Sequence, residues 1–105
     1  MKGNYTTYII MPNTSQAKSK RITDRYDWTY LNSDQSEVTK EATVDDLFAR
    51  YSSYFSPRVS KDSSEIVFKM DATENEINAL PTGFTAYNYE EIKAYITTST
   101  KWEKE

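Results

Sequence analysis

The chain of 105 residues has no cysteine, no histidine, two glycines, three prolines and three leucines. Each shortage excludes something. Without Cys there are no disulfides and no thiolate metal sites, and the redox compartment cannot be read from cysteine usage. Without His the commonest general base near neutral pH, the commonest metal ligand and the Ser–His and Cys–His nucleophile pairs are gone. Metal binding is left with oxygen ligands, and no stretch resembles a calcium loop. Gly3 and Gly83 stand alone, so there is no glycine-rich loop to cradle a phosphate. The longest uninterrupted apolar run is a few residues, too short to span a membrane. The opening MKGNYTTYIIMPNTS has one Lys and an apolar run too short for a signal peptide. The expectation is a soluble protein acting in the compartment where it is made, with the sequons at Asn4 and Asn13 read as chance.

What is present is aromatic. Hydrophobic residues make up only 37% of the chain, but aromatics make up 14%, and nine of these are Tyr. A disordered chain would be poor in aromatics, so the length and composition indicate one folded domain over residues 1–105. Its core is expected from Tyr, Phe and Ile rather than Leu. Tyr buries a large area but needs a partner for its hydroxyl, which places it at core edges and in interfaces.

Net charge is −3 and uneven. Residues 1–30 carry Lys2, Lys18, Lys20, Arg21 and Arg25 against Asp24 and Asp27, while the remainder carries eight basic and fourteen acidic residues. This mild polarity fits neither a DNA mimic nor a generally basic nucleic-acid binder.

Along the chain, NYTTYIIM (4–11) is rich in β-branched and aromatic residues and is ended by Pro12, which predicts a strand. Bulk on both of its faces, with Tyr5, Thr7, Ile9 and Met11 on one and Thr6, Tyr8 and Ile10 on the other, suggests a central position. Residues 12–22 read as a polar, basic loop. TDRYDWTYLN (23–32) reads as a second strand pairing with the first, with Tyr26, Trp28 and Tyr30 on one face. Residues 33–42 read as a polar connection. TVDDLFARYSSYF (43–55) has the 3, 4, 7 spacing of an amphipathic helix, with Thr43 and Asp46 forming a capping box and Pro57 forbidding continuation. SEIVFKM (64–70) alternates as a strand. Thr73 and Glu76 repeat the capping box before a short helix stopped by Pro81 and Gly83. GFTAYN (83–88) reads as a fourth strand. Asn88 then caps YEEIKAYITT, although its β-branched ITTST end leaves helix and strand both open over 89–100. Residues 100–105 form a charged tail in which Trp102 must find cover. The order ββαβαβα predicts an α+β domain: about four strands in a mixed or antiparallel sheet with helices packed on one face.

The acidic pairs Asp45/Asp46, Glu74/Glu76 and Glu90/Glu91 all fall in first turns of predicted helices, where the helix dipole and capping account for them. With no catalytic apparatus, metal site or cofactor motif, a non-enzyme is expected. Two surfaces stand out. Lys18, Lys20, Arg21 and Arg25 lead into Tyr26, Trp28 and Tyr30, an interleaving that suits single-stranded nucleic acid through phosphate contacts and base stacking. The competing reading places the stripe in the core against helix 43–55, with Trp28 most buried and Tyr26 and Tyr30 at its ends. Tyr51, Tyr54 and Phe55 crowd the end of that helix, with Arg50 and Arg58 beside them, as a second surface; the competing reading is core packing with cations favourably placed at a helix C-terminus. Tyr, Trp and Arg dominate interface hot spots.

No motif matches a family. The chain's weight of Lys, Asn, Thr, Ser, Tyr and Ile nevertheless resembles that of small phage and mobile-element proteins of low-GC Gram-positive bacteria, including anti-CRISPR inhibitors of host defence. This resemblance implies a stoichiometric, non-enzymatic inhibitor in the cytoplasm of an infected or host bacterium. Its partner would be a host protein, such as a CRISPR-associated nuclease or its nucleic-acid complex. The alternative from the residues themselves is a small nucleic-acid-binding accessory protein using the basic loop and aromatic strand. A third is an assembly subunit that dimerises through an exposed sheet edge.

Overall fold

A computed structural model describes residues 5–102. The side chain of Tyr5, the Asn4 sequon and residues 103–105 of the expected tail lie outside the described residues. The centre of the fold is strand β1 (Tyr5–Pro12). One of its edges pairs antiparallel with β5 (Glu65–Ala72), from Tyr5↔Ala72 to Pro12↔Glu65. The other edge pairs antiparallel with β6 (Thr85–Tyr87), where Tyr8 faces Tyr87. The two-residue strand β4 (Arg58–Val59) extends the sheet outside β5, giving the order β4-β5-β1-β6. The molecule is therefore α+β, as expected, and this sheet is antiparallel throughout. β5 and β6 do run parallel to each other, but β1 lies between them, so their connection crosses one strand and makes no parallel pair.

The bulk on both faces of β1 is what a central strand requires. Ile9 and Met11 pack with Ile66, Phe68 and Met70 of β5 on one face. Over them lie α2 (Val44–Arg50) and α3 (Ser52–Phe55), through Leu47 and Phe55. On the opposite face Ile10 and Val67 are covered by Ile92 of α5 (Tyr89–Thr98) and by Trp102. The expectation of helices on one face is thus corrected: Val67 is as buried as its neighbours on β5, so this side of the sheet also needs a lid. Each such side chain contributes roughly 1.5–3 kcal/mol when taken fully out of water.

Both expected capping boxes form, and the cap expected at Asn88 proves to be a third. Thr43 and Asp46 open α2, Thr73 and Glu76 open α4 (Glu74–Asn78), and Asn88 and Glu91 open α5. The last resolves 89–100 in favour of a helix that runs to Thr98. Helix 43–55 is not continuous, because Tyr51 leaves the helical region at φ −131°, ψ 38° and separates α2 from α3. This turn lets the Tyr51 ring pack 4.9 Å from Tyr26. Ser56, left-handed at φ 46°, then closes α3 just before Pro57.

The largest differences from expectation lie between residues 12 and 42. The basic loop contains a helical turn, α1 (Ser15–Lys18), capped by the Thr14 hydroxyl and anchored by buried Ala17. The second strand is only β2 (Trp28–Leu31), and its partner is not β1 but β3 (Glu37–Lys40), inside the stretch read as a connection. Both edges of β1 are already occupied. Residues 23–27 are withdrawn from the strand by a turn that brings the Asp27 amide to the Asp24 carbonyl.

Candidate interaction surfaces

β2 and β3 form a separate two-stranded ribbon with Trp28↔Lys40 and Tyr30↔Val38 in register. Apart from each other, these strands make few contacts with any other element. The molecule is elongated as a result, 54 × 37 × 25 Å with a radius of gyration of 15.4 Å, against about 13 Å for a compact chain near this length. A two-stranded ribbon is marginal by itself, so its root is fastened. Arg21 donates to both Asp27 oxygens, its Nη2 at 2.7 Å, and the Ala42 amide donates to Asp27 Oδ1 at 2.8 Å. These two bonds, the Arg21 one foremost, hold the Asp27 carboxyl below its ordinary value. The Arg50 guanidinium sits 4.0 Å over the Trp28 ring, a cation–π contact. Further out, Thr29 and Thr39 bond across the strands, and Asp34 closes the turn by accepting from the Ser36 amide and hydroxyl.

The aromatic stripe is split by this arrangement. Tyr26 belongs to the core edge, with Tyr51 and Phe55 against its ring. Trp28, half-buried like Tyr26, packs against the same core cluster and lies under Arg50. Tyr30 is 47% exposed and Leu31, on the opposite face of the ribbon, 59%. Residues 27–41 carry Asp27, Asp34, Glu37 and Glu41 against Lys40 alone. The ribbon is therefore an acidic projection with apolar side chains on both faces.

The expected basic patch is largely engaged elsewhere. Arg21 holds Asp27. Arg25 pairs with Glu76 at 2.9 Å and donates to the Asp71 backbone carbonyl, which fastens the 23–27 turn to α4 and the end of β5. Glu76 also accepts from Thr23 and from the Thr73 amide. Burial pushes the Glu76 carboxyl up, but these bonds outweigh it and hold the group below its ordinary value. Lys18 is half-buried and Lys20 exposed on either side of the end of α1. Tyr26 and Tyr54 line one shallow hollow, with Tyr54 70% exposed, and Arg25 lies 5.8 Å from the Tyr26 ring. Arg58 is apart from them, on β4 beside α5. Tyr30 is apart as well, out on the ribbon.

Leu31, Asp34 and Glu37 were not legible as surface groups, because Leu31 read as one more strand residue and 33–42 as a connection. The acidic pairs behave as capping predicts: Asp46, Glu76 and Glu91 each bond their N-cap backbone. Among the described residues no three acidic side chains lie close enough together to hold a metal ion, and no helix is long and apolar enough to cross a membrane. Compared with protein-family models, curated proteins and solved structures, the chain matches none.

Proposed function

We propose that this chain is a non-enzymatic binding protein that acts by stoichiometric occlusion. Its partner would be a bacterial nuclease or defence complex, of the kind that anti-CRISPR proteins block. The observation that carries this reading is the ribbon: a clamped, acidic projection with Tyr30 and Leu31 in solvent at its outer end. Exposed aromatic and aliphatic side chains on a pre-organised element make good interface anchors. The surrounding acids complement a basic surface, and a nucleic-acid channel is the commonest such surface on a nuclease. Binding nucleic acid directly is less well supported, because Arg21 and Arg25 are held in ion pairs and the ribbon would meet phosphate with like charge.

The test is a comparative capture from a low-GC Gram-positive lysate with two baits, the native chain and Tyr30→Ala/Leu31→Ala, each with and without nuclease treatment. The expected result is one protein retained by the native bait after nuclease and lost from the variant. Retention that vanishes with nuclease, falls steeply with salt and ignores the ribbon variant would replace this reading with nucleic-acid binding through Lys18 and Lys20.

A further inference from the structure

The outer edge of β5 is only partly covered. In an antiparallel ladder the backbone groups of successive residues point alternately to the two sides of the strand. The Asn13 amide donates to the Ser64 carbonyl on the β1 side, and the Ser60 amide donates to the Glu65 carbonyl on the β4 side. The one-to-one register from Glu65 to Ala72 carries this alternation along β5, so the backbone groups of Glu65, Val67, Lys69 and Asp71 all point away from β1. Arg25 reaches the Asp71 carbonyl on that outer side. β4 covers only Ile66 and Val67. Ser56, two residues before β4 begins and so in line with Lys69, is left-handed and gives its amide to Ser52 instead. Among the described residues, the Lys69 amide and carbonyl and the Asp71 amide therefore have no backbone partner. Space lies alongside them. A hollow of about 220 Å³ runs along Lys69, Met70 and Asp71, with Tyr26, Tyr54 and Phe55 across from them. None of these residues belongs to the ribbon.

We propose that this edge takes an extended peptide segment of a partner protein as a further antiparallel strand, short and with an apolar central side chain. The backbone itself sets the chemistry of the occupant. Two donors and an acceptor at strand spacing are matched by another main chain, and an open edge recruits one. The peptide residue opposite Lys69 would exchange both of its backbone hydrogen bonds with it. The residue opposite Met70 would turn its own amide and carbonyl outward. Its side chain would share the sheet face of Met70, where Phe55 and Tyr26 pack, and would enter the hollow beneath Tyr54. A second copy of this chain fits less well. Pairing Met70 with its own counterpart would set the second Thr73 opposite Val67, a place that β4 already occupies.

The probe is the blocked peptide acetyl-Ser-Thr-Leu-Thr-Ser-amide, titrated into the full-length ¹⁵N-labelled chain at neutral pH. Saturable amide shifts centred on Lys69 and Asp71 are expected. N-methylation of the threonine that follows leucine removes the donor to the Lys69 carbonyl and should weaken binding at least tenfold. N-methylation of the leucine, whose amide points outward, should change binding less than twofold. Tyr54→Ala opens one wall of the hollow and should weaken binding of the unmodified peptide at least threefold, with the amide spectrum otherwise unchanged. The proposal is overturned if the two N-methylated peptides bind alike, if Tyr54→Ala binds the peptide unchanged, if no saturable shift occurs, or if the shifts centre on Tyr30 and Leu31. It is also overturned if the Lys69 and Asp71 amides shift as the protein alone is concentrated, which would make the occupant a second copy.

Discussion

Glu65 is the residue on which the C-terminal end of the described chain closes. The Tyr95 hydroxyl donates to its two oxygens at 2.8 and 2.9 Å, and the Trp102 indole N–H donates at 3.1 Å. Trp102 is thereby held 2% exposed against Ile10, Val67 and Ile92. Glu65→Gln keeps the shape but removes the charge that strengthens these bonds. It is expected to lower unfolding free energy by about 2 kcal/mol in urea denaturation followed by Trp fluorescence; an unchanged midpoint would mean that the clasp contributes nothing. Burial, and then the Glu65 carboxylate, push the Tyr95 hydroxyl up to about 12. Acid sensitivity is also set by single residues. Bonds from the Ser64 and Ser60 hydroxyls and the Ser64 amide hold Asp62 at about 2, and Asp27, Asp34, Asp46 and Glu76 are lowered in the same direction. At acid pH the unfolded chain therefore binds more protons than the folded one. The stabilisation is complete above about pH 4 and is lost as pH falls towards 2. Melting temperature should drop across that window, and less steeply in Asp62→Asn; a flat profile would contradict these assignments.

At the scale of elements, the caps are the sharpest local determinants. Thr43→Ala removes the hydroxyl that accepts the Asp46 amide and donates to its carboxylate, and should cost about 1 kcal/mol in chemical denaturation. No loss would mean that α2 is held by packing alone. Such boxes were legible because their residue types and spacing are local. So were β1 and β5, whose alternation reflects a core against which every second side chain packs. The ribbon was not legible for the converse reason: Val38 is the only apolar residue in EVTK, and a strand with little core to face leaves almost no period. Tyr51 shows a second limit. Its helical spacing is sound, but the ring finds Tyr26 only if the backbone breaks there. Nor could spacing show that Arg21 and Arg25 are taken up by Asp27 and by Glu76, which is 51 residues from Arg25, and are therefore not free for phosphate.

At the scale of the whole molecule, the surface proposed for recognition lies apart from the core. A two-sided core surrounds β1, while the ribbon projects from it and is fastened at Asp27 and Trp28. Tyr30→Ala/Leu31→Ala touches only the exposed end and is expected to change stability by no more than about 0.5 kcal/mol. Trp28→Ala strips the ring from beneath Arg50 and should loosen the ribbon, visible as faster amide exchange over 28–40; equal exchange in both variants would contradict the clamp. The measurement that most directly tests the account is a titration of the captured partner's nuclease activity against molar ratio of this protein. The account predicts a linear fall that ends at one equivalent, with the Tyr30→Ala/Leu31→Ala variant at least thirtyfold weaker, about 2 kcal/mol. Full inhibition by a small fraction of an equivalent would mean turnover, and would contradict a stoichiometric inhibitor.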